Sequence, residues 1–308
     1  MTDTPGHAST APSAAPRFGT MVPAMVTPMH ADGQVDYDAA QALATHLVDQ
    51  GADGLVVTGT TGETSTLRDE ENLAMFRAVV EAVGDRAAVI AGTGTNDTAH
   101  SVHLSQEAKK TGVDGLLLVT PYYNKPNQAG IAAHFRTIAE AADLPVMVYD
   151  IPGRSVMPIH APTLVELAEH ELIVALKDAK GDLQSTTTVL ADTDLDVYSG
   201  DDGATWPLMA MGAVGVVSVA AHVAPGLYRE LVDAANAGDM ARARAAHFAL
   251  DPVQRGIMSH IQGAVAAKAV LAGQGLIPTA AVRLPLTEAT PEELTDIRAD
   301  LDEAGIAF

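Results

Sequence analysis

The sequence predicts an α/β protein: a closed (β/α)8 TIM barrel followed by a C-terminal helical extension. Three observations lead there. From Met21 onward, eight short apolar runs of strand length alternate with longer amphipathic stretches. Several of these runs are continuously apolar, as parallel strands covered on both faces must be. No glycine-rich dinucleotide fingerprint follows the first run, which disfavours the runner-up, an open doubly wound sheet. A barrel of this kind takes roughly 250 residues, and residues 18–235 are read as supplying it. Residues 1–17, rich in Ala, Pro, Ser and Thr, read as a disordered tail. Residues 236–308 read as helices only, centred on MARARAAHFAL, the segment around 256–273, and PEELTDIRADLDEAG.

The predicted strands cover 21–26, 54–58, 87–92, 115–119, 145–149, 172–177, 195–199 and 214–219. Between the first and second, Asp36 to Asp49 places Leu43, Leu47 and Val48 on one helical stripe. Between the second and third, Asp69 to Val83 does the same with Leu73, Phe76, Val79, Val80 and Val83. Asp97 to Lys110 and Gln128 to Ala141 repeat the period. Asp36, Asp69 and Asn96 stand where helix-opening caps are expected, and Gly51, Gly84 and Gly112 where helices close.

Composition narrows the function. At 47 % hydrophobic and 19 % charged residues the chain can bury a substantial core. A formal charge of −21 repels nucleic acid and anionic lipid. No apolar run is long enough for a transmembrane helix. The absence of cysteine excludes disulfides, thiolate catalysis and thiolate metal sites. The N-terminus shows no basic n-region followed by an apolar h-region, so a cytoplasmic location is the expectation. The eleven histidines form no HExxH motif, and His100 and His103 read as surface residues, so no metal and no cofactor is expected.

In such barrels chemistry sits at the C-terminal ends of the strands. Of six lysines, only Lys177 terminates a buried apolar strand. Burial there disfavours the ammonium and leaves the neutral amine that attack on a carbonyl requires. The competing expectation is an ion pair with Asp178, Asp201 or another carboxylate. Tyr122, Tyr123 and Tyr149, half of the tyrosines, fall on the same rim, where a phenol can give and take a proton. Thr60 offers a hydroxyl to bridge two phenols. Backbone N–H groups and hydroxyls of Gly59-Thr60-Thr61-Gly62-Glu63 suit a carboxylate. Arg154, after a Pro-Gly turn, can clamp a second carboxylate.

Six motifs carry a resemblance: GTTGE at 59–63, TPYYNKP at 120–126, YDIPGRS at 149–155, LKDAKGD at 176–182, SGDD at 199–202 and GVVSV at 215–219. Together, in this order, the chain from about Phe18 to Ala307 resembles the dihydrodipicolinate synthase / N-acetylneuraminate lyase family, and most of all its actinobacterial condensing members. The resemblance implies a Schiff base between Lys177 and pyruvate, with Tyr149 as proton donor and acceptor. It implies that Thr60 and Tyr123 complete a hydroxyl relay, Tyr123 acting in the neighbouring subunit's site. It implies that Thr61 and the backbone at Val217 hold pyruvate, that Gly200 shapes the floor near the lysine, and that Arg154 binds the carboxylate of the second substrate. Sialic acid lyases usually lack an arginine there, so L-aspartate 4-semialdehyde is the implied acceptor. The implied product is 4-hydroxy-tetrahydrodipicolinate, on the route to diaminopimelate and lysine.

The family also implies a homotetramer, a dimer of dimers, often inhibited by lysine at the tight interface. Asn96 and Tyr122 match that regulatory site, but His100 stands where sensitive members carry a glutamate, and Asn72 where they often carry histidine. An imidazole cannot replace a carboxylate as partner to an ammonium, so weak or absent lysine inhibition is expected. Two other readings stand beside this one. One is a pyruvate-dependent aldolase or dehydratase of a 2-keto sugar acid. The other is a binding relative without catalysis.

Overall fold

The computed structural model describes residues 15–308. Most of the expected tail lies outside these residues. Of its last residues, Arg17 donates its backbone N–H to the Asp196 carboxylate at 3.1 Å.

Eight parallel strands form the sheet: β1 (Met21–Pro23), β2 (Gly54–Val57), β3 (Ala88–Gly92), β4 (Gly115–Val119), β5 (Val146–Asp150), β6 (Ile173–Asp178), β7 (Asp196–Ser199) and β8 (Gly215–Ser218). Their order is β1-β8-β7-β6-β5-β4-β3-β2. The ring closes where Met25 N–H donates to Val56 O at 2.9 Å and Ala24 bridges Val56. Each expected strand is present, displaced by at most a few residues at its ends.

Crossover helices pack outside. They are α1 (Tyr37–Asp49), α2 (Asp69–Val83), α3 (Thr98–Lys109), α4 (Gln128–Ala142), the single turn α5 (Pro152–Ser155), α6 (Ala161–Ala168), α7 (Leu183–Asp192), α8 (Thr205–Met211) and α9 (Pro225–Asn236). Asp36 caps α1 by accepting from Ala39 N–H at 3.0 Å. Two expected caps move by one residue. Arg68 precedes α2, so Asp69 opens the helix from inside, where its charge suits the dipole. Asp97, not Asn96, caps α3, accepting from Ala99 N–H at 2.9 Å.

Three helices follow the barrel: α10 (Met240–Met258), α11 (Gly263–Gly273) and α12 (Pro291–Glu303). Helix α10 runs through Pro252 rather than ending before it, and the break falls at 259–262. Pro252 is buried along with Leu250, Val253 and Ile257. Packing of that face outweighs the hydrogen bond a helical proline forfeits.

Side-chain alternation divides the strands into two cores. Val22, Val56, Ile90, Leu117, Met147, Ala175 and Val217 fill the barrel interior, with Tyr149 and Tyr198. Val57, Val89, Leu116, Leu118, Val146, Val148 and Leu176 face the helices. Phe18 plugs the bottom of the barrel. A Cβ on Gly115, at the start of β4, would lie 2.5 Å from its ring, so only glycine leaves room for the plug.

Candidate active site

Inward-facing Tyr149 and Lys177 are register partners across β5 and β6, which brings phenol and amine together at the mouth of the barrel. The Lys177 Nζ lies 4.2 Å from the centre of the Tyr149 ring. Both side chains are buried. Burial pushes the Lys177 amine down to about 8, against the pull of the Asp202 carboxylate, with Arg154 adding to the downward push. Burial also raises the Tyr149 phenol well above its ordinary range, so it stays protonated.

Burial alone does not distinguish Lys177, contrary to the sequence argument. Lys180 and Lys268 are buried too, although the sequence places one in a loop and the other on a late helix. Pairing separates them. Lys268 is ion-paired with Glu63 and donates to Ala281 O at 2.8 Å. Lys180 stands 3.2 Å from the Asp150 carboxylate. Among the described residues no carboxylate lies within ion-pair distance of Lys177 Nζ. The carboxylates expected as its partners are engaged elsewhere. Asp178 accepts from Thr186 Oγ1 at 2.6 Å, and Asp201 from Gly203 N–H at 2.9 Å.

Gly200 lies against the lysine. A Cβ there would sit 2.8 Å from Lys177 Cγ and 3.1 Å from Cε. Val217 is buried in β8, inside the barrel.

The Gly59–Glu63 segment follows β2 as a chain of tight turns. Gly62 N–H donates to Gly59 O at 3.0 Å, and Thr27 Oγ1 to Gly62 O at 2.7 Å. Thr61 is buried and Thr60 half-buried. A narrow pit of about 20 Å³ is lined by Thr58, Thr60, Thr64, Gly94, Val119 and Tyr149. Above it a cavity of about 230 Å³ is lined by Thr60, Val119, Tyr122, Arg154 and others. Tyr149, Thr60 and Arg154 are thus gathered around one opening. A larger cavity, about 550 Å³, opens at the other end of the barrel beside Arg17, His170 and Asp196. It adjoins the N-terminal ends of β6 and β7, away from the strand ends where barrels carry chemistry.

Tyr123 is not gathered in. Its side chain is 88 % exposed, and within one chain Tyr122 lines the cavity instead. The Tyr123 backbone is left-handed, with φ 73°. Among the described residues, five of the six non-glycine residues with positive φ lie in loops after β2, β4 and β5: Thr58, Glu63, Tyr123, Lys125 and Val156. Such backbone costs of order 1–3 kcal/mol per residue and gathers at functional sites.

Two residues escaped the sequence argument. Asp202 is fully buried beside Lys177 and accepts from Ser218 Oγ and from Val219 N–H at 3.0 Å. Burial pushes its carboxyl up, and these donors hold it down. Its only signal was the second aspartate of SGDD. Thr58 lines the pit, and its buried Oγ1 has no hydrogen-bond partner among the described residues. At the outer rim, His100 Nε2 lies 3.0 Å from the Asp69 carboxylate, a partner the sequence did not suggest.

Fold and site together define an enzyme of the Schiff-base lyase class, a barrel with a buried lysine at a strand end whose ammonium is destabilised. The chain belongs to the dihydrodipicolinate synthetase family, whose model matches residues 17–304. It is 58 % identical over 290 residues to the 4-hydroxy-tetrahydrodipicolinate synthase of Kineococcus radiotolerans, covering 94 % of each chain. The dihydrodipicolinate synthase of Cyanidioschyzon merolae, solved with lysine bound, superposes with a TM-score of 0.92 at 40 % identity, over 95 % of this chain and all of that one. The enzyme of Acinetobacter baumannii, solved in complex with pyruvate, gives 0.90 at 37 % identity, over 94 % and 100 %.

Proposed function

We propose that the chain condenses pyruvate with L-aspartate 4-semialdehyde to give 4-hydroxy-tetrahydrodipicolinate, in lysine and diaminopimelate synthesis. The observation that carries this reading is Lys177: buried, without a carboxylate partner among the described residues, and facing Tyr149, which lines a pit adjoining a cavity that Arg154 borders. The family membership and the pyruvate-bound relative support it.

The Lys177 amine attacks the pyruvate carbonyl carbon, and loss of water leaves an imine. Loss of a methyl proton gives the enamine. Its carbon attacks the aldehyde of the second substrate, whose oxygen takes up a proton and becomes the hydroxyl. The substrate's own amine then attacks the imine carbon, expels Lys177 and closes the ring. Tyr149 moves the protons, relayed through Thr60 and through Tyr123 of a neighbouring subunit. A phenol raised by burial stays protonated and uncharged at rest, and it avoids a lasting phenolate by taking a proton from Thr60 as it gives one up. Thr61 and the backbone at Val217 hold pyruvate, Gly200 keeps the lysine's path open, and Arg154 takes the carboxylate of the semialdehyde. No cofactor or metal is required by this sequence of steps.

The exposed, left-handed Tyr123 supports an assembly in which it enters a partner's site, and we place the chain in a cytoplasmic homotetramer built from tight dimers. Consumption of pyruvate is measured with L-aspartate 4-semialdehyde and with a panel of sugar-acid aldehydes, coupled to reduction of the cyclic product. Turnover with the semialdehyde alone is expected. Turnover with sugar aldehydes alone would move the protein to sugar-acid chemistry.

Lysine inhibition is expected to be weak or absent. The carboxylate nearest His100, Asp69, is already paired with that imidazole, so an incoming ammonium must displace it. A dose–response below 1 mM lysine (on the order of the weak-binding range) checks this, and half-inhibition there contradicts it.

A further inference from the structure

Behind the reacting residues, on the outer face of the same two strands, lies a charged cluster that the reaction does not touch. Asp150 follows Tyr149, and Asp178 follows Lys177. Alternation therefore turns both carboxylates away from the barrel interior. They are register partners across β5 and β6, and both are buried. Two neighbouring buried carboxylates repel, and burial pushes Asp150 up to about 6.

Each is held differently. Asp178 accepts from Thr186 Oγ1 of α7 and, at 3.0 Å, from the backbone N–H of Lys180. Asp150 Oδ1 accepts from Ile159 N–H at 3.2 Å. Its other oxygen has no well-aligned hydrogen-bond donor and depends on the Lys180 ammonium, 3.2 Å away, as an ion pair. The same ammonium donates to Ile159 O at 2.8 Å and to Ser185 Oγ at 2.7 Å. Two of its protons are thereby donated to protein oxygens, and its charge faces Asp150. The cavity of about 310 Å³ that Lys180 borders, with Pro158, His160 and Gln184, therefore finds no free cation there.

Lys180 thus joins four pieces of chain: its own loop beyond β6, the end of β5, the segment before α6 and the start of α7. The β5–β6 ladder ends at this tie. Its register shifts between Val146 and Met147, where Val146 pairs with Ile173 but Met147 with Ala175. An irregularity of this kind interrupts the ladder and re-aims the side chains beyond it. Beyond the shift only four pairs run in register, from Met147–Ala175 to Asp150–Asp178, and the Lys180 tie holds the far end of that short ladder, one residue past Tyr149 and Lys177.

We propose that Lys180 is a positioning residue: its buried ion pair with Asp150 locks the ends of β5 and β6 so that Tyr149 and Lys177 face one another. This rests on the reading that Lys177 and Tyr149 perform the chemistry. The lock acts on proton transfer, which needs the phenol placed over the lysine adduct, more than on pyruvate capture, which needs only the amine.

The test compares the full-length wild type with Lys180→Met and with the charge-neutral pair Asp150→Asn/Lys180→Met, which leaves the net charge of the cluster unchanged and stands in if the single variant unfolds. Three readouts are taken: borohydride trapping of pyruvate at Lys177, exchange of the pyruvate methyl protons with deuterium, and steady-state kcat and KM. In the variant that folds, trapping is expected to persist with KM for pyruvate little changed. Methyl exchange and kcat are expected to fall on the order of 10-fold or more. Wild-type kcat and exchange in the folded neutral pair overturn the positioning role. Loss of trapping, or parallel changes in KM and kcat, also overturn it. Failure of the wild type itself to trap pyruvate would instead sink the Schiff-base reading, and this proposal with it.

Discussion

At the scale of single residues, three lysine side chains are buried, and among the described residues one of them has no carboxylate partner. A buried ammonium without a counter-charge is costly, so the amine at Lys177 titrates near 8 rather than 10.5. The folded site therefore holds more neutral amine as pH rises through about 8, and the rate of pyruvate trapping should climb over that interval. A trapping rate flat from pH 6 to 9 (roughly two units about the shifted value) would contradict this. Lys177→Arg keeps the charge but offers no nucleophile, and should lower turnover by roughly a thousandfold or more. Gly200→Ala tests the space the lysine occupies. A methyl 2.8 Å from Lys177 Cγ must push the side chain aside, so kcat should fall on the order of 100-fold, with a small change in Tm. These residue identities were legible in the sequence, because a lysine ending an apolar strand is a local pattern. Its lack of a partner was not, since Lys268 finds Glu63 across 205 positions of sequence.

At the scale of elements, the loops after β2, β4 and β5 carry most of the strained backbone, and they carry the proposed relay. The strand periods announced these elements, and their ends were correct to within a few residues. Cap identities were less legible. Asp69 and Asp97 each differ by one residue or one role from expectation, because a cap depends on one side chain's angle to a single N–H. The loop after β4 holds Tyr123 outward, where it cannot serve its own chain's pit. Subunits bearing Lys177→Ala and subunits bearing Tyr123→Phe should each be poorly active alone. Unfolded, mixed and refolded together, they should regain activity, since one kind of interface would join an intact lysine to an intact tyrosine. Absence of any recovery in verified mixed assemblies would place Tyr123 in cis or outside the reaction.

At the scale of the whole molecule, the C-terminal segment is part of the support of the loop after β2, Gly59 to Glu63. Glu63 ends the GTTGE segment in a left-handed conformation, φ 59°, and sends its carboxylate out of the barrel mouth. There Lys268 of α11 pairs with one oxygen, and the backbone N–H of Arg283 donates to the other at 2.9 Å. The Arg283 guanidinium meanwhile grips Glu71 at 2.7 and 2.8 Å and Thr66 O at 2.8 Å. One arginine thereby clamps both the end of the loop and the first turn of α2. Lys268→Met would strand a buried carboxylate and should cost about 3–5 kcal/mol of stability, read as a lowered denaturation midpoint. Glu63→Gln/Lys268→Met, with no stranded charge, should recover most of it. A single variant as stable as wild type would mean that the pair contributes nothing.

What the sequence determined by itself was whatever is encoded over one or two turns of chain. The apolar runs of five or six residues, the 3.6-residue stripes between them and the order of the two define a barrel, because each element must bury its apolar face beside its neighbours in sequence. The motifs at the strand ends named the lysine, the phenol and the arginine for the same reason. Only the tertiary structure decided which charges pair. It assigned Lys180 to Asp150, Lys268 to Glu63 and His100 to Asp69, and it turned Tyr123 away from its own site. Pairing is set by three-dimensional proximity and by burial, which strengthens each charge's need for a partner, and neither quantity is written in the local pattern.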